Sequence, residues 1–337
     1  MKEMYFKKKG SLLLPRIVAS GAIMALLCSA APQTVSAEGK SASEARTSVE
    51  STESTYNVNK DLYFPGVIIE DGKISYDLAG ISSKKVSSYT AYSVTVDGRR
   101  LSSSALMINS TLYLPARAFL EALGAKVSYN SRTKTLTATA NGFNLSAADG
   151  GFVTYVNDRP LFAFSPNAVM SNGRMYIPAS TLVKATGTSI NKVSTSVSSV
   201  DIKGKLSPIA HASSYYRDDE VFWLARIITA EARGESLLGQ IAVGNVIVNR
   251  VKSNSYPNTI YGVIFDRKWG VQFSPVLDGT IYNTPTYNAT LAAKIILEGT
   301  TLSENSLFFL NPKTAESNWI VKSREYQYTI GGHDFYA

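Results

Sequence analysis

Apolar residues in the segment 218–251 recur at the spacing of α-helices. Leu224 and Ile228 mark one buried face of a first predicted helix, which stops at Gly234. Glu231 is seven residues past Leu224, so it lies only about 20° from the line of that face. The pattern therefore predicts a carboxylate on the apolar side of a helix, close to the end of the helix.

The same segment predicts where its helices begin. Asp218, together with Asp219, is a candidate N-cap for the first helix. A second helix is predicted over about 236–251, and because it is apolar nearly all round we expect it to be buried. Gln240 interrupts that apolar sequence, and it either satisfies backbone groups in the core or faces a binding site.

Glu231 has two interpretations at this point. An unpaired carboxylate resists leaving water, so burial raises its pKa towards the range where it can act as a general acid near neutral pH. Alternatively, Arg226 or Arg233 pairs with it through a tertiary contact, although neither stands at an ideal helical spacing. Glu235 is expected to be an ordinary solvated side chain at a helix end or N-cap.

The stretch 62–205 shows instead the short alternating runs and turn residues that are typical of β-strands. It contains a repeat, since NSTLYLPA at 109–116 returns as NGRMYIPA at 172–179. Each copy is predicted to run from a strand through Pro into a short helix, at 116–123 and at 179–185. The repeat therefore predicts a small, duplicated α+β domain.

The N-terminus carries the signals of export. A basic region precedes an apolar run and a small-residue cleavage site ending at Ala37, so residues 1–37 are expected to be a signal peptide. Residues 38–58 are rich in Ser, Thr and Glu and are expected to form a disordered linker. Cys28, the only cysteine, lies inside the predicted signal, which excludes disulfides and thiolate catalysis from the mature protein. No later apolar stretch is long enough to span a bilayer.

The net charge of +8 is concentrated outside the C-terminal part of the chain. A mildly basic front domain on an exported protein suits an anionic envelope polymer, although scattered solvated charge explains it equally well. No basic cluster with interleaved aromatic residues follows the predicted signal, so we expect no nucleic-acid binding. The two histidines are too few and too far apart for a zinc site, and we expect no metal or cofactor.

The segment YLPARAFLEALGAKVSYNSRTKTLTAT at 113–139 resembles the copper amine oxidase N-terminal-like domain, and the resemblance covers about 90–203. Residues 59–205 contain no His and no Cys, so they lack the usual copper ligands. We therefore expect 59–205 to be a binding or spacer module, with anionic wall polymers as one hypothetical partner. Residues 206–217 are interpreted as a short polar link, in which His211 is solvated.

Six sequence blocks follow in order. They are AEARGE with GQIAVGNVIVNRV, YPNTIYGVIF, QFSPVLDG, TYNATLAAKIIL, LFFLNPKTA with NWI, and IGGHDFY. Over 218–337 they resemble the cell-wall hydrolase family of the spore cortex-lytic enzyme type. The resemblance implies a lysozyme-like α+β fold that cleaves the glycan strands of peptidoglycan, and it makes Glu231 the catalytic acid. Helical position and resemblance thus converge on one residue.

The later blocks supply candidate substrate contacts. A sugar site needs hydrogen bonds beside a stacking ring, which favours polar and aromatic residues of these blocks as the walls of a cleft. The predicted substrate-binding residues are Gln240, Gln272, Phe273, Asn311, Trp319 and His333. For His333, holding the C-terminal strand is an equally weighted alternative.

The mechanism depends on the number of carboxylates. Most glycosidases use two, but only Glu231 has support from both position and motif. In lytic transglycosylases one is sufficient, because the muramic C6 hydroxyl attacks the anomeric carbon, and Glu231 would donate a proton and then accept that of the hydroxyl. The alternatives are a hydrolase in which Asp278 or Asp266 activates water, and a wall-binding protein without activity. We expect a secreted protein of the cell wall or spore cortex. The sequence leaves open whether its substrate is the spore cortex or the vegetative wall.

Overall fold

The computed structural model describes residues 89–108, 110–163, 167–268, 270–315 and 319–337, and the backbone of two further strands. The predicted signal peptide and the predicted linker at 38–58 lie outside the described residues. All described residues belong to one compact unit. Among them, no helix combines the length and the hydropathy of a transmembrane span.

The first half of the described chain is built of strands and two short helices. In order, its elements are β1 Val67–Glu70, β2 Lys73–Tyr76, β3 Thr90–Val96, β4 Arg99–Arg100, β5 Ala105–Ile108, β6 Thr111–Pro115, α1 Ala116–Ala122, β7 Lys126–Asn130, β8 Thr135–Ala140, β9 Phe143–Ala148, β10 Val153–Val156, β11 Arg159–Phe162, β12 Val169–Ser171, β13 Arg174–Pro178, α2 Ala179–Thr186, β14 Ser189–Ser194 and β15 Ser199–Lys203.

The second half is mainly helical. Its elements are α3 Ala212–Tyr215, α4 Asp218–Ala232, α5 Leu237–Lys252, α6 Ile260–Ile264, α7 Pro275–Asp278, a 3₁₀ turn Thr280–Tyr282, α8 Tyr287–Leu297, β16 Phe308–Leu310, α9 Trp319–Ser323, β17 Tyr326–Ile330 and β18 His333–Tyr336.

The two copies of the sequence repeat pair with each other. Strand β6 of the first copy lies antiparallel to β13 of the second, with Leu114 opposite Ile177. Pro115 and Pro178 stand immediately before the first helical residue, where the helix needs no backbone N–H from them. The two predicted helices are confirmed, and each differs from the prediction by one residue at its C-terminal end.

Two sheets and two helices enclose the core of the first half. One sheet runs β12-β13-β6-β5-β3-β15-β14 with β4 added to β3, and the other runs β11-β10-β9-β8-β7. Phe119, Leu145 and Leu182 are fully buried in one cluster that draws on both sheets and both helices. Each such side chain contributes about 1.5–3 kcal/mol on burial, so this apolar cluster stabilises the module.

Helices α4, α5 and α8 pack around the core of the second half. Gly244 allows their close approach, because a Cβ there would collide with Cδ1 of Ile296 and lie 2.7 Å from Cδ1 of Ile228. A three-stranded antiparallel sheet, β16-β18-β17, adds Tyr328 and Phe335 to the same core. Helices and antiparallel strands are segregated along this half, and the predicted α+β class is confirmed.

The helix starts differ in part from the prediction. Helix α4 begins at Asp218, but its N-cap is Arg217, whose side chain makes no capping hydrogen bond. The prediction of Asp218 and Asp219 as N-caps is therefore wrong, and these acids instead stabilise the positive end of the helix dipole from inside the first turn. Helix α5 begins after Ser236, whose hydroxyl accepts from the N–H of Gly239 at 3.2 Å.

The link at 206–217 is packed rather than fully solvated. It contains α3, and the hydroxyl of Tyr216 donates to Glu298 at 2.7 Å. His211 is half exposed, but its Nε2 lies 2.8 Å from a carboxylate oxygen of Asp158. His211 is exposed, as predicted, and the link folds back onto the first half so that its ring also meets Asp158.

Glu298, just after α8, joins the two halves. Its carboxylate accepts from Nε and Nη2 of Arg159 at 2.7 and 2.9 Å, and Nζ of Lys184 lies 3.0 Å away. The side chains of Glu298 and Arg159 are only 2% and 5% exposed. Burial is the largest influence on the pKa of Glu298 and raises it, but the hydrogen bonds and positive charges outweigh burial and leave the pKa below its ordinary value.

Candidate active site

Glu231 stands in the last turn of α4 and is half-buried. Leu224 and Ile228 of the same helix are fully buried, as their spacing predicts. Among the described residues, the carboxylate of Glu231 has no hydrogen-bond or ion-pair partner. Burial first, and the negative charge of Asp278 second, raise the pKa of Glu231 to about 7. The group therefore keeps a substantial protonated fraction at neutral pH, as a general acid requires.

The two arginines that could neutralise Glu231 are engaged or located elsewhere. Arg226 donates to the backbone carbonyl of Asn283 at 2.6 Å, and its guanidinium lies over the ring of Phe222, 4.2 Å from the centroid. Arg233 is exposed and makes no ion pair with a described residue. These positions do not support a salt bridge to Glu231 and favour the interpretation as an acid.

Glu231 lines a groove of about 530 Å³. The walls come from the α4–α5 turn, the segment 271–274, strand β16 with the loop after it, α9 and the start of β18. The structure brings five of the predicted substrate-binding residues to this groove. They are Gln272, Phe273, Asn311, Trp319 and His333.

Gln240 is the predicted substrate-binding residue that the structure does not bring to the groove. Its side chain is buried in the first turn of α5, where Nε2 donates to the backbone carbonyl of Glu235 at 3.0 Å. This contact satisfies a backbone group in the turn between α4 and α5. Gln240 thus stabilises the α4–α5 turn, which forms part of the groove wall, without lining the groove itself.

Glu235 lies in the groove wall, which corrects its prediction as an ordinary solvated side chain. The side chain is 17% exposed, and each carboxylate oxygen accepts from the N–H of Gly332 at 3.2 Å. Nδ1 of His333 lies 3.4 Å from Oε1 of the same carboxylate. A contact between the α4–α5 turn and the C-terminal hairpin therefore removes this carboxylate from bulk water.

Aromatic rings form two parts of the groove. Phe273 is buried and stacks on Phe309, with ring centroids 6.4 Å apart. Trp319 is 53% exposed and meets Phe308 edge to face at 6.0 Å. Because an indole offers an apolar face with a polar edge, the exposed ring of Trp319 suits stacking against a sugar.

Gln272 and Asn311 bring amide groups to the groove. Nε2 of Gln272 donates to the carbonyl of Gly270 at 3.1 Å, and Oδ1 of Asn311 accepts from the N–H of Lys313 at 3.0 Å. Oε1 of Gln272 and Nδ2 of Asn311 make no hydrogen bond to a described residue. These two atoms can therefore serve the hydroxyl and acetamido groups of a glycan.

Arg250 is a groove residue that helical spacing does not reveal. Its position near the end of α5 suggests only an interaction with the helix dipole. In the structure it is 5% exposed, donates from Nε to the carbonyl of Leu307 at 2.7 Å, and lies 5.3 Å from the ring centroids of Phe273 and Phe308. Arg250 thus ties α5 to the segment before β16 and fixes two rings of the groove.

Asp278 and Asp266 do not line the groove. Asp278 is exposed, and it accepts from the hydroxyl of Thr280 at 2.6 Å and from its N–H at 2.8 Å, which lowers the pKa of Asp278. Its negative charge nevertheless contributes to the raised pKa of Glu231. The pKa of Glu231 is thus raised and that of Asp278 is lowered, as expected for a proton donor beside an ionised carboxylate.

Two family profiles match the chain. The Cell Wall Hydrolase family matches residues 234–336, and the copper amine oxidase N-terminal domain matches residues 95–198. The first match begins just after Glu231, so the assignment of that residue depends on geometry. The second match does not imply copper, because residues 95–198 contain no His or Cys, and no metal-ligating cluster of three occurs among the described residues.

Individual relatives agree with the first of these profiles. A spore cortex-lytic enzyme of Bacillus cereus is 34% identical over 205 residues, which cover 58% of this chain and 78% of the relative. The spore cortex-lytic enzyme of Bacillus subtilis is 38% identical over 120 residues, covering 36% and 38%. One solved structure that matches is the catalytic domain of the germination-specific lytic transglycosylase SleB from Bacillus anthracis. Its sequence is 41% identical, and the match covers 36% of this chain and 97% of the solved chain, with a TM-score of 0.34. The identities, and not the superposition, establish the relationship.

Proposed function

Because the chain belongs to the spore cortex-lytic enzyme family of cell wall hydrolases, we propose that it cleaves the glycan strands of peptidoglycan with Glu231 as the proton donor. One observation carries this proposal: Glu231 is a half-buried carboxyl with a pKa of about 7 that lines a polar and aromatic groove and has no partner among the described residues. Such a group can protonate a glycosidic oxygen near neutral pH, a transfer that contributes about 10²–10⁴-fold to a rate.

The reaction we propose is that of a lytic transglycosylase between N-acetylmuramic acid and N-acetylglucosamine. Glu231 protonates the bridging oxygen, the bond from that oxygen to the muramic anomeric carbon breaks, and the C6 hydroxyl of the same sugar bonds to that carbon. The carboxylate of Glu231 is then free to take up the hydroxyl proton, which leaves a 1,6-anhydro end. The relative from Bacillus anthracis, which is 41% identical, is a lytic transglycosylase, and this supports the choice.

Hydrolysis of the same bond is the second candidate. It is favoured by one observation, the influence of the Asp278 charge on the pKa of Glu231. Asp278 would then activate a water molecule, and the product would carry a reducing end.

Product analysis distinguishes these candidates. Wild type, Glu231→Gln and Asp278→Asn are incubated with purified spore cortex and with vegetative sacculi, and the fragments are identified by mass spectrometry. We expect anhydro ends, which are lighter than reducing ends by one water, and a loss of at least about 100-fold in Glu231→Gln. Glu325→Gln, which neutralises an exposed carboxylate outside the groove, is the control and should match wild type. A Glu231→Gln protein as active as wild type would refute the proposal, and so would a wild type that releases no glycan fragments.

Export and wall binding complete the proposal. The basic and apolar pattern of residues 1–37 supports secretion to the wall or cortex, and the basic character of the front module supports contact with anionic wall polymers. Co-sedimentation with walls before and after removal of teichoic acid tests the contact with anionic wall polymers. Equal binding to both preparations would contradict it.

A further inference from the structure

The groove contains a second carboxylate, Glu235, that the proposed proton donation does not use. Backbone surrounds it closely. A Cβ at Gly331 would collide with Oε2, a Cβ at Gly332 would lie 3.1 Å from Oε1, and a Cβ at Gly239 would lie 2.9 Å from the Cβ of Glu235. Three glycines therefore leave room for this side chain, and the N–H of Gly332 binds both of its oxygens.

His333 is the side chain that this carboxylate faces. The imidazole side chain is 10% exposed, and its ring packs edge to face on Phe309 at 5.5 Å. Nδ1 is buried 3.4 Å from Oε1 of Glu235 and makes no hydrogen bond of good geometry to a described residue. A carboxylate accepts hydrogen bonds, so its position favours the tautomer in which the facing nitrogen, Nδ1, carries the hydrogen. In the neutral ring Nε2 then has a lone pair, and Nε2 pairs with no described residue.

The surroundings of His333 keep its ring neutral near pH 7. Burial is the largest influence and lowers the pKa of His333, whereas the charges of Glu235 and Asp334 raise it, and the net shift is downward. From β16 the ring meets Phe309, which carries no charge. A neutral ring with a lone pair on Nε2 is a proton acceptor.

We propose that His333, oriented by Glu235, accepts the proton of the hydroxyl that attacks the sugar. In this step the hydroxyl oxygen bonds to the anomeric carbon, the glycosidic C–O bond breaks, and Glu231 gives its proton to the leaving oxygen. Nε2 of His333 takes the hydroxyl proton, and the carboxylate of Glu235 stabilises the resulting imidazolium. The inference rests on the proposed function and transfers to His333 the acceptor step that Glu231 would otherwise perform. His333 is then a catalytic residue and Glu235 a positioning residue.

Steady-state kinetics of the full chain on soluble glycan fragments test the proposal. We expect His333→Gln to lower kcat about 100-fold and Glu235→Gln about tenfold, each with KM changed less than about threefold. Wild-type activity should fall on the acid side of its pH profile as His333 becomes protonated, and His333→Gln should lose this fall. Glu325→Gln is the control for a change of one charge. A His333→Gln protein with more than about a third of wild-type kcat, or with the acid-side fall intact, would overturn the proposal. The product identifies the hydroxyl, since an anhydro end comes from the sugar and a reducing end comes from water.

The tautomer of His333 provides a readout that needs no activity. The chain has two histidines, so nitrogen NMR of histidine-labelled protein gives two rings, and His211→Gln assigns them. We expect hydrogen on Nδ1 of His333 in wild type. In Glu235→Gln we expect part of the population to carry it on Nε2, because the amide can donate to Nδ1. Hydrogen on Nε2 in wild type would overturn the proposal even where His333→Gln and His333→Asn fail to fold. If Glu231→Gln abolishes cleavage and His333→Gln does not, this inference alone fails; if wild type cleaves nothing, the proposed function fails.

Discussion

Replacing Glu298 by Gln tests whether a buried charge holds the two halves of the protein together. The substitution keeps the shape of the side chain but leaves Arg159, which is 5% exposed, without its anionic partner. Removing one partner of a buried ion pair lowers the free energy of unfolding by about 3–5 kcal/mol, because the remaining charge stays buried without compensation. Lys184 loses only its contact with the carboxylate: Nζ still donates to the backbone carbonyl of Glu298 at 2.9 Å, and the side chain is 37% exposed, so it adds little.

Lys184→Gln is the matched control. It removes the carboxylate contact of 3.0 Å and the hydrogen bond to the backbone carbonyl of Glu298 at 2.9 Å, but leaves the two hydrogen bonds from Arg159 to Glu298 in place. Because Lys184 is partly exposed, we expect a loss of about 1 kcal/mol or less. Urea unfolding followed by tryptophan fluorescence and by circular dichroism measures both variants. If Glu298→Gln loses less than about 1 kcal/mol, or no more than Lys184→Gln, the reasoning from the buried pair is refuted.

The same pair predicts a pH dependence with a definite sign. The pKa of Glu298 is lower in the folded protein than in the unfolded chain, where it is about 4.3. Its stabilising contribution is therefore complete above that value and is lost as the pH falls through the lower, folded pKa. The difference in unfolding free energy between wild type and Glu298→Gln should shrink below about pH 4, and a difference that stays constant down to pH 2 would contradict this.

Four further predictions concern the groove and the core. The kcat/KM of glycan cleavage should fall as the pH rises through about 7, the pKa of Glu231, because the acid must be protonated; a profile that stays flat to pH 9 would contradict this. Gly332→Ala should reduce activity more than thermal stability, since its Cβ would press on Glu235 at 3.1 Å, and equal losses in both assays would contradict the contact. Gly244→Ala should lower the free energy of unfolding by about 1–3 kcal/mol in urea, because the helices must separate; an unchanged midpoint would argue against the close packing. Trp319→Ala should raise KM about two- to tenfold with kcat nearly unchanged if the exposed ring stacks on a sugar, and an unchanged KM would exclude that role.

Local patterns predict a large part of the fold and the position of Glu231. Helical spacing depends on neighbours three and four residues away, and both C-terminal helices and the two helices of the repeat follow it closely. The two β-strands that carry the repeat also pair with each other, a long-range contact that spacing along the chain does not predict. Five of the predicted contact residues reach the groove. Three of them lie in loops and two begin a helix or a strand, positions where polar and aromatic residues are seldom present for packing alone.

The environment of Glu235 could not be predicted in this way, because its partner Gly332 is 97 residues away along the chain. Helical spacing describes only the helix that precedes it. The glycine pair of the last sequence block indicates a close approach of backbone to some side chain, but not which one. The role of Gln240 depends in the same way on tertiary structure. A side-chain amide can donate to a backbone carbonyl or to a substrate, and only the position of the turn beside it shows that Gln240 donates to a carbonyl.

Glu298 shows which local signal does point to a distant partner. It follows an apolar helix at the negative end of the helix dipole, where a carboxylate is unfavourable, and its partners Arg159 and Lys184 are 139 and 114 residues away. A residue that conflicts with its own helix and is nevertheless buried must gain more from a tertiary cation than it loses to the dipole and to desolvation. The same reasoning applies in reverse to Glu231. It is also unfavourable at a helix end and half-buried, but no cation lies beside it in the part of the chain that the structure describes. One carboxylate is held ionised by neighbouring charges and stabilises the fold, whereas the other is left to bind a proton, and that difference in surroundings makes Glu231 the residue suited to catalysis.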